Sequence, residues 1–303
     1  MRIYLDCFPC FITQALKSAR MAGADVKTQK KILGAVALKM SDGSLIGSPP
    51  EVGLVIRDIV KKLVDGPDDP YKKIKQKSTS LALGIYSSLK ENVAGAKDRL
   101  LVAAELAIAG NIIDYGAKNS LNIEEEIARI VKKEYAVIKH ENKALFNYEK
   151  FKRDLDSARV ILYLADNAGE TVFDRILIEE IKHHDKSKKI LYAVKEKPVI
   201  NDALIDDAIA SGIGASAEIF SSGSQIAGNV LKYCNSGFKK IFKNADMIIS
   251  KGQGNFETLS CSKRSIFFLF MVKCDVIARH VCLLGAKCKV GDIALLYKKG
   301  KNK

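Results

Sequence analysis

Tryptophan is absent from this 303-residue chain, and aromatic residues make up only 7% of it. A surface that stacks successive bases of a nucleic-acid strand needs aromatic faces, so this composition argues against one. Histidine is scarce too, at four residues, and a His-based nucleophile triad is not expected. No apolar run reaches membrane-spanning length. The most apolar late stretch, Ser265-Ile-Phe-Phe-Leu-Phe-Met-Val272, is short and is followed by Lys273. The start, Met1-Arg-Ile-Tyr-Leu-Asp-Cys-Phe-Pro-Cys10, has no basic segment leading into a long apolar one. A cytoplasmic protein that binds no membrane is the expectation. With no secretory start, seven cysteines argue against a disulfide framework. There is no G-x-x-x-x-G-K-[ST] loop, no well-placed G-x-G-x-x-G, no helix-turn-helix or RNP signal, and no internal repeat.

What is present is an aliphatic chain with a strong positive charge. Hydrophobic residues reach 48%, enough for a proper core, and the formal charge is +14. That charge points to anionic partners: nucleic acid, an acidic membrane surface or small phosphorylated molecules. The excess is carried mainly by scattered lysines. Base readout favours bidentate arginine, so nucleic acid is not the expected partner.

Apolar positions at helical spacing predict helices over 11–40, from Val52 to Leu63, and over 71–91, 95–109 and 122–139, with breaks at Ile46-Gly-Ser-Pro-Pro50 and Gly66-Pro-Asp-Asp-Pro70. The pattern changes near residue 155. Short β-forming runs begin at Val160, Lys189, Ala217, Asp246, Ile266 and Asp292. They alternate with helical patterns over 171–184, 202–211, 224–233 and 275–284. This divides the chain into a mainly helical region, 1–150, and an α/β domain, 151–303. Alternation of short strands with helices predicts a doubly wound sheet, in which ligands sit beyond the carboxyl ends of the strands.

Four strand ends carry polar groups: Asp166-Asn167-Ala-Gly-Glu170; Lys195-Glu-Lys-Pro-Val-Ile-Asn201-Asp202; Ser221-Ser222-Gly223-Ser224; and Ser250-Lys251-Gly252-Gln253-Gly254-Asn255-Phe256-Glu257. Alone, Asp166 and Asn167 read equally well as caps of the following helix or as oxygen ligands. With Asp202 on the same edge, they make a hard-oxygen set suited to a divalent cation such as Mg²⁺ or Mn²⁺. Ser221, Ser222 and Gly223 read as a phosphate nest, or as an ordinary turn. Lys251 beside two glycines offers an ammonium where bare backbone can approach a ligand.

These segments, in this order, resemble the metal-dependent damage-control phosphatase family, long catalogued as a domain of unknown function. Asp6-Cys7-Phe-Pro-Cys10 and Asp69-Pro70-Tyr71-Lys72 look like its branch with an N-terminal Cys-x-x-Cys, and Gly110-Asn111-Ile-Ile-Asp114 and Lys273-Cys274 look like further family segments. The resemblance implies a helical N-terminal region packed on a Rossmann-like three-layer α/β/α domain. It implies hydrolysis of phosphate esters of small metabolites with a divalent metal (Mn, Mg, Co or Ni). Asp166, Asn167 and Asp202 would bind the metal and carry catalysis, with Asn111 and Asp114 near the same site. Lys251, Asn255, Glu257 and Lys273 would contact phosphate or substrate. Two segments depart from the family pattern. Gln225-Ile-Ala-Gly228-Asn229 stands where an acid and a Gly-Thr step are expected, and the Thr79 region lacks an expected amide. Cys7 and Cys10 stay open among inert thiols, half of a metal site and a role near the active site. The competing functional classes are a noncatalytic nucleic-acid-binding protein and a nucleotide-binding transferase.

Overall fold

A computed structural model of the chain describes residues 1–43, 45–110 and 144–300. Asn111, Asp114 and the helix expected over 122–139 lie outside the described residues. Six strands form one sheet: β1 (Val160–Leu164), β2 (Lys189–Val194), β3 (Glu218–Ser221), β4 (Met247–Lys251), β5 (Ile266–Met271) and β6 (Ile293–Lys298). Their order is β3-β2-β1-β4-β5-β6. The first five are mutually parallel and β6 pairs antiparallel with β5. This is a doubly wound order that reverses direction between β1 and β4, and ligands bind in the crevice at such a reversal.

Twelve described α-helices accompany the sheet. α1 (Phe8–Met21), α2 (Val26–Ser41) and α3 (Pro49–Leu63) come first. α4 (Lys72–Gly84), α5 (Tyr86–Gly95) and α6 (Arg99–Ala109) follow. Next are α7 (Tyr148–Ser157), α8 (Thr171–His184), α9 (Ile205–Ala210), α10 (Ser236–Asn244), α11 (Gln253–Leu259) and α12 (Asp275–Cys282). The expected 11–40 helix is two helices. Gly23 turns the chain at φ +84, and Asp25 caps α2 by accepting from Thr28 N. The 71–91 pattern likewise divides at Ile85. The helix expected over 224–233 is a correction. That segment is irregular apart from a single turn at Leu231–Tyr233, because Gly223 and Gly228 both hold positive φ. The helix starts later, at α10, where the Asn235 side chain accepts from Phe238 N.

Period-2 alternation sorts the strand residues onto two faces. Ile161, Tyr163, Tyr192 and Ile249 share one apolar core with α5, α6, α7 and α8. Leu162, Leu164, Ile248, Phe268 and Phe270 share another with α10, α11 and α12. A third cluster joins α1, α2 and α3 and reaches Val276 of α12. The fold is therefore α/β with helices on both sheet faces. Among the described residues no helix is long and apolar enough to cross a membrane.

Phe256 fastens α11 to the sheet. It is fully buried, stacked on Phe270 at 4.7 Å and edge-on to Phe268 at 5.1 Å between ring centroids. We expect Phe256→Ala to cost about 3–5 kcal/mol. Urea denaturation followed by circular dichroism checks this through a lowered midpoint.

Candidate active site

The backbone brings two strand ends together at the β1–β4 reversal. After β1, Ala165 N still donates to Ala193 O. The chain that leaves β2 then doubles back: Ala203 N donates to Asp166 O at 2.8 Å and Ala168 N donates to Asn201 O at 3.0 Å. An antiparallel bridge between Asn167 and Asp202 results. The loop that delivers Asp202 carries Ile200 at φ +41. This left-handed conformation is costly for a β-branched residue, a strain of the kind found at functional sites. From β4, Gly252 enters at φ +78, and a Cβ there would lie 2.0 Å from Asp166 Oδ2. Only glycine permits that approach.

Neither Asp166 nor Asn167 caps α8. The N-cap residue is Glu170, and its side chain bonds no helix N–H. Glu170 instead accepts from Asn167 Nδ2 at 2.7 Å and from Lys251 Nζ at 3.2 Å. Asn167 Nδ2 also donates to Asp166 Oδ2 at 3.1 Å. With its nitrogen committed to two carboxylates, the Asn167 amide presents its oxygen end elsewhere.

Buried charge is unbalanced here. Asp166, Glu170, Asp174 and Asp202 are all at most 8% exposed. The ammonium groups buried with them are those of Lys195 and Lys251. Lys251 Nζ bonds Asp174 Oδ1 at 2.7 Å as well as Glu170. Tyr163 and Tyr192 donate to the two Asp174 oxygens at 2.8 and 2.7 Å. Lys195 donates to Gly228 O at 2.6 Å and stands 3.7 Å from Asp202 Oδ2. Burial, then repulsion from Asp202, pushes the Asp166 carboxyl up to about 7. Burial also pushes Glu170 up to about 7, against the pull of Lys251. Burial lowers Lys195, against Asp202 and Asp166. For Lys251 burial opposes the charge, but Asp174 and Glu170 outweigh it and hold the ammonium above the usual lysine range.

These positions sort the expected site residues. Asp166, Asn167 and Asp202 come together and line a large cleft, as do Glu257 and Lys273. The opposite wall comes from α1 and α3, with Gln14 and Arg57 among its residues. The cleft holds about 1480 Å³. Two expectations of substrate contact are corrected. Lys251 is 1% exposed with its ammonium on Glu170 and Asp174, so it holds carboxylates rather than a ligand. Asn255 is fully buried and donates to Ala165 O and Lys251 O, so it latches β1 to β4. The nest reading of Ser221, Ser222 and Gly223 is corrected as well. Gly223 N donates to Ser221 Oγ and Ser224 N to Ser222 Oγ, which uses those donors within the turn. The cleft takes Gln225 and Ala227 from this loop instead. Cys7, Cys10 and Cys274 line the cleft as free thiols. Sequence reasoning missed Lys195, Asp174 and Gln253. Lys195 directly follows β2 and Lys251 ends β4, which was the available signal.

The donor set fits one divalent cation. Among the described residues no three of His, Cys, Asp and Glu are grouped to hold a metal. The set here is two carboxylates and an amide oxygen, which leaves positions open for water and substrate. Among the described residues, the buried carboxylates here outnumber the ammonium groups buried with them. Burial, then repulsion from Asp202, raises the Asp166 carboxyl, and a divalent cation at these oxygens would offset both.

The sequence matches the damage-control phosphatase ARMT1-like domain over residues 3–288. It is similar to an uncharacterised protein of Methanocaldococcus jannaschii, at 33% identity over 98% of this chain and 95% of the relative. It is also similar to a damage-control phosphatase of Pyrococcus horikoshii, at 34% identity over 93% of this chain and 94% of the relative. A weaker likeness, 26% over 46% of this chain and 18% of the relative, is to a 4'-phosphopantetheine phosphatase of Mus musculus. Among solved structures, a DUF89 family protein of Pyrococcus horikoshii superposes with a TM-score of 0.83 at 29% identity, covering 99% of this chain and 100% of that one. A site of converging carboxylates at the sheet reversal and a match along nearly the whole chain lead to one conclusion: the chain belongs to the damage-control phosphatase ARMT1-like family.

Proposed function

We propose that this chain is a phosphatase that hydrolyses phosphate monoesters of small metabolites with a divalent cation (Mn²⁺, Mg²⁺, Co²⁺ or Ni²⁺) held by Asp166, Asn167 and Asp202. One observation carries the reading: the Asn167–Asp202 bridge sets two buried carboxylates side by side on the floor of the cleft. Such a cation, when bound, supplies Lewis-acid charge to the phosphoryl oxygens.

The chain's own groups do the rest. Lys273 lines the cleft, and its positive charge acts on Asp166, so it serves as the ammonium for phosphoryl oxygens not met at the carboxylates. Lys195 sets its charge 3.7 Å from Asp202 Oδ2 and holds that carboxylate in place. Lys251 fixes Glu170, which fixes the Asn167 amide through its Nδ2. Gly252 removes the bulk that would displace Asp166. The cleft in front of the wall of α1 and α3 leaves room for an organic group on the phosphate. Similarity to a damage-control phosphatase and to a 4'-phosphopantetheine phosphatase supports phosphorylated metabolites as the substrate class.

The first test is release of p-nitrophenol from p-nitrophenyl phosphate with each of the four cations, against a chelator control. Activity should require the cation, and Asp166→Ala and Asp202→Ala should abolish it while the far-ultraviolet circular dichroism spectrum stays that of the wild type. Turnover at the wild-type rate in either variant with added Mn²⁺ would falsify the ligand assignment.

Gly252→Ala places a methyl group against the Asp166 carboxylate and forces a backbone conformation open essentially to glycine alone, a cost of about 1–3 kcal/mol. We expect a modest loss of stability with a disproportionate loss of kcat. Equal kcat in the variant and the wild type would show that the close approach is not needed.

The two lysines should separate in opposite ways. Lys251→Met strands Glu170 and Asp174 and should destabilise by about 3–5 kcal/mol. Lys273→Ala, at an exposed position, should change stability by less than about 0.5 kcal/mol while lowering kcat/KM. Thermal melts and steady-state kinetics on both variants check this.

A further inference from the structure

Glu257 is a cleft carboxyl carried by the same helix that abuts Asp166, unlike Asp6, Asp65, Asp68 and Asp69, which line the cleft from other segments. It lies in α11, the helix whose N-cap, Gly252, abuts Asp166. Gln253, Gly254 and Glu257 all line the cleft, the spacing of one helix face. Glu257 therefore lies on the cleft face of this helix, roughly 7 Å of helix rise from the Gly252 that abuts Asp166. Lys273 lies within electrostatic reach of both ends, since its charge lowers Asp166 and Glu257 alike.

The carboxyl is held but not neutralised. Gln253 Nε2 donates to Glu257 Oε1 at 2.9 Å, and Gln253 Oε1 accepts from Lys273 N at 3.0 Å. Glu257 forms no ion pair among the described residues. The groups that face it are the Met1 amine, which bonds its backbone carbonyl, together with Lys273, Cys7 and Cys274. Burial pushes the carboxyl up to about 7, against the Gln253 hydrogen bond, the Met1 amine and Lys273.

Ester hydrolysis needs a proton at the departing oxygen, most of all when an alcohol leaves. Asp166 and Asp202 serve the cation, and Lys251 is bound to Glu170 and Asp174. We propose that Glu257 is the general acid of this site, protonating the ester oxygen of a substrate whose phosphoryl group sits between the Asp166–Asp202 pair and Lys273. This rests on the phosphatase reading and deepens it: the substrates are phosphate esters of ordinary alcohols rather than of acidic leaving groups. In the step, the ester P–O bond breaks and its electron pair goes to the departing oxygen, which takes the Glu257 proton. Water oxygen forms the new P–O bond. One water proton stays on the phosphate product, and the other, through solvent, restores the Glu257 carboxyl.

A series of substituted phenyl phosphates, from p-nitrophenyl to unsubstituted phenyl, tests the role by leaving-group acidity. In the wild type, kcat should depend only weakly on that acidity. Glu257→Gln should lose on the order of 10²–10⁴-fold on phenyl phosphate and far less on p-nitrophenyl phosphate, whose leaving group needs little help. The same loss across the series would overturn the proposal and leave Glu257 a structural residue. The wild type gives an independent readout if the variant folds poorly. Its kcat on phenyl phosphate should fall as pH rises through about 7, because an acid acts only when protonated, with a weaker fall on p-nitrophenyl phosphate. Parallel pH profiles, or a steep leaving-group dependence in the wild type, would sink the assignment. No hydrolysis of any aryl phosphate with any of the four cations is a different failure, that of the phosphatase reading itself.

Discussion

The structure depends on keeping four carboxylates out of water at one point of the sheet. Asp166, Glu170, Asp174 and Asp202 are drawn there by the ends of β1 and β2 and the start of α8. Burying an ionised carboxylate is costly unless charge and hydrogen bonds answer it. The answer is built into the strands themselves. β1 and β2 supply Tyr163 and Tyr192, whose rings pack in the core while their hydroxyls hold Asp174. β4 supplies Lys251, and Lys195 follows directly on β2. Core packing and site electrostatics are thus one problem: a change at either tyrosine would disturb both the apolar face and the carboxylate cluster.

Asp174 shows how far this support reaches. It sits in the first turn of α8, where an acid also favours the helix dipole. Its two oxygens accept from Tyr163, Tyr192 and Lys251. Lys251 also holds Glu170, and Glu170 holds the Asn167 amide. A chain of hydrogen bonds therefore runs from the middle of the sheet to the cleft floor. Such outer partners orient the groups they touch and commonly matter nearly as much as those groups.

Much of this was legible in the sequence. The strands were readable because a parallel sheet is covered on both faces, so its strands appear as unbroken apolar runs. Asp166, Asn167 and Asp202 were readable because the end of such a run is where a doubly wound sheet presents ligands. What escaped reading was side-chain direction. Lys251 follows an apolar strand and precedes glycines, which is equally the pattern of a ligand lysine and of a buried counter-ion. Only the positions of Glu170 and Asp174 on α8 decide between them. The Ser221–Ser224 turn has the composition of an anion nest, yet its donors close on its own hydroxyls. The helix expected from 224 begins at Ser236, because Asn235 supplies the cap that the glycines upstream deny. α11 was hidden within Gly252-Gln253-Gly254-Asn255, where helix propensity is poor and packing of Phe256 decides.

The two walls of the cleft are built on different cores. The carboxylates stand on the sheet, while the facing wall belongs to the separate apolar cluster of α1, α2 and α3. The walls meet through a few specific ties. Val276 of α12 enters the helical cluster, Arg57 of α3 donates to Gln225 O at 2.9 Å, and Lys232 pairs with Glu51 of α3 at 2.7 Å. The first is apolar and buried, and the others are polar. This arrangement separates two demands on the molecule. The sheet edge must hold its carboxylates within a fraction of an ångström, which a rigid strand framework provides. The helical wall need only shape the space in front of them, so its residues can set which organic group fits without disturbing the charges beneath.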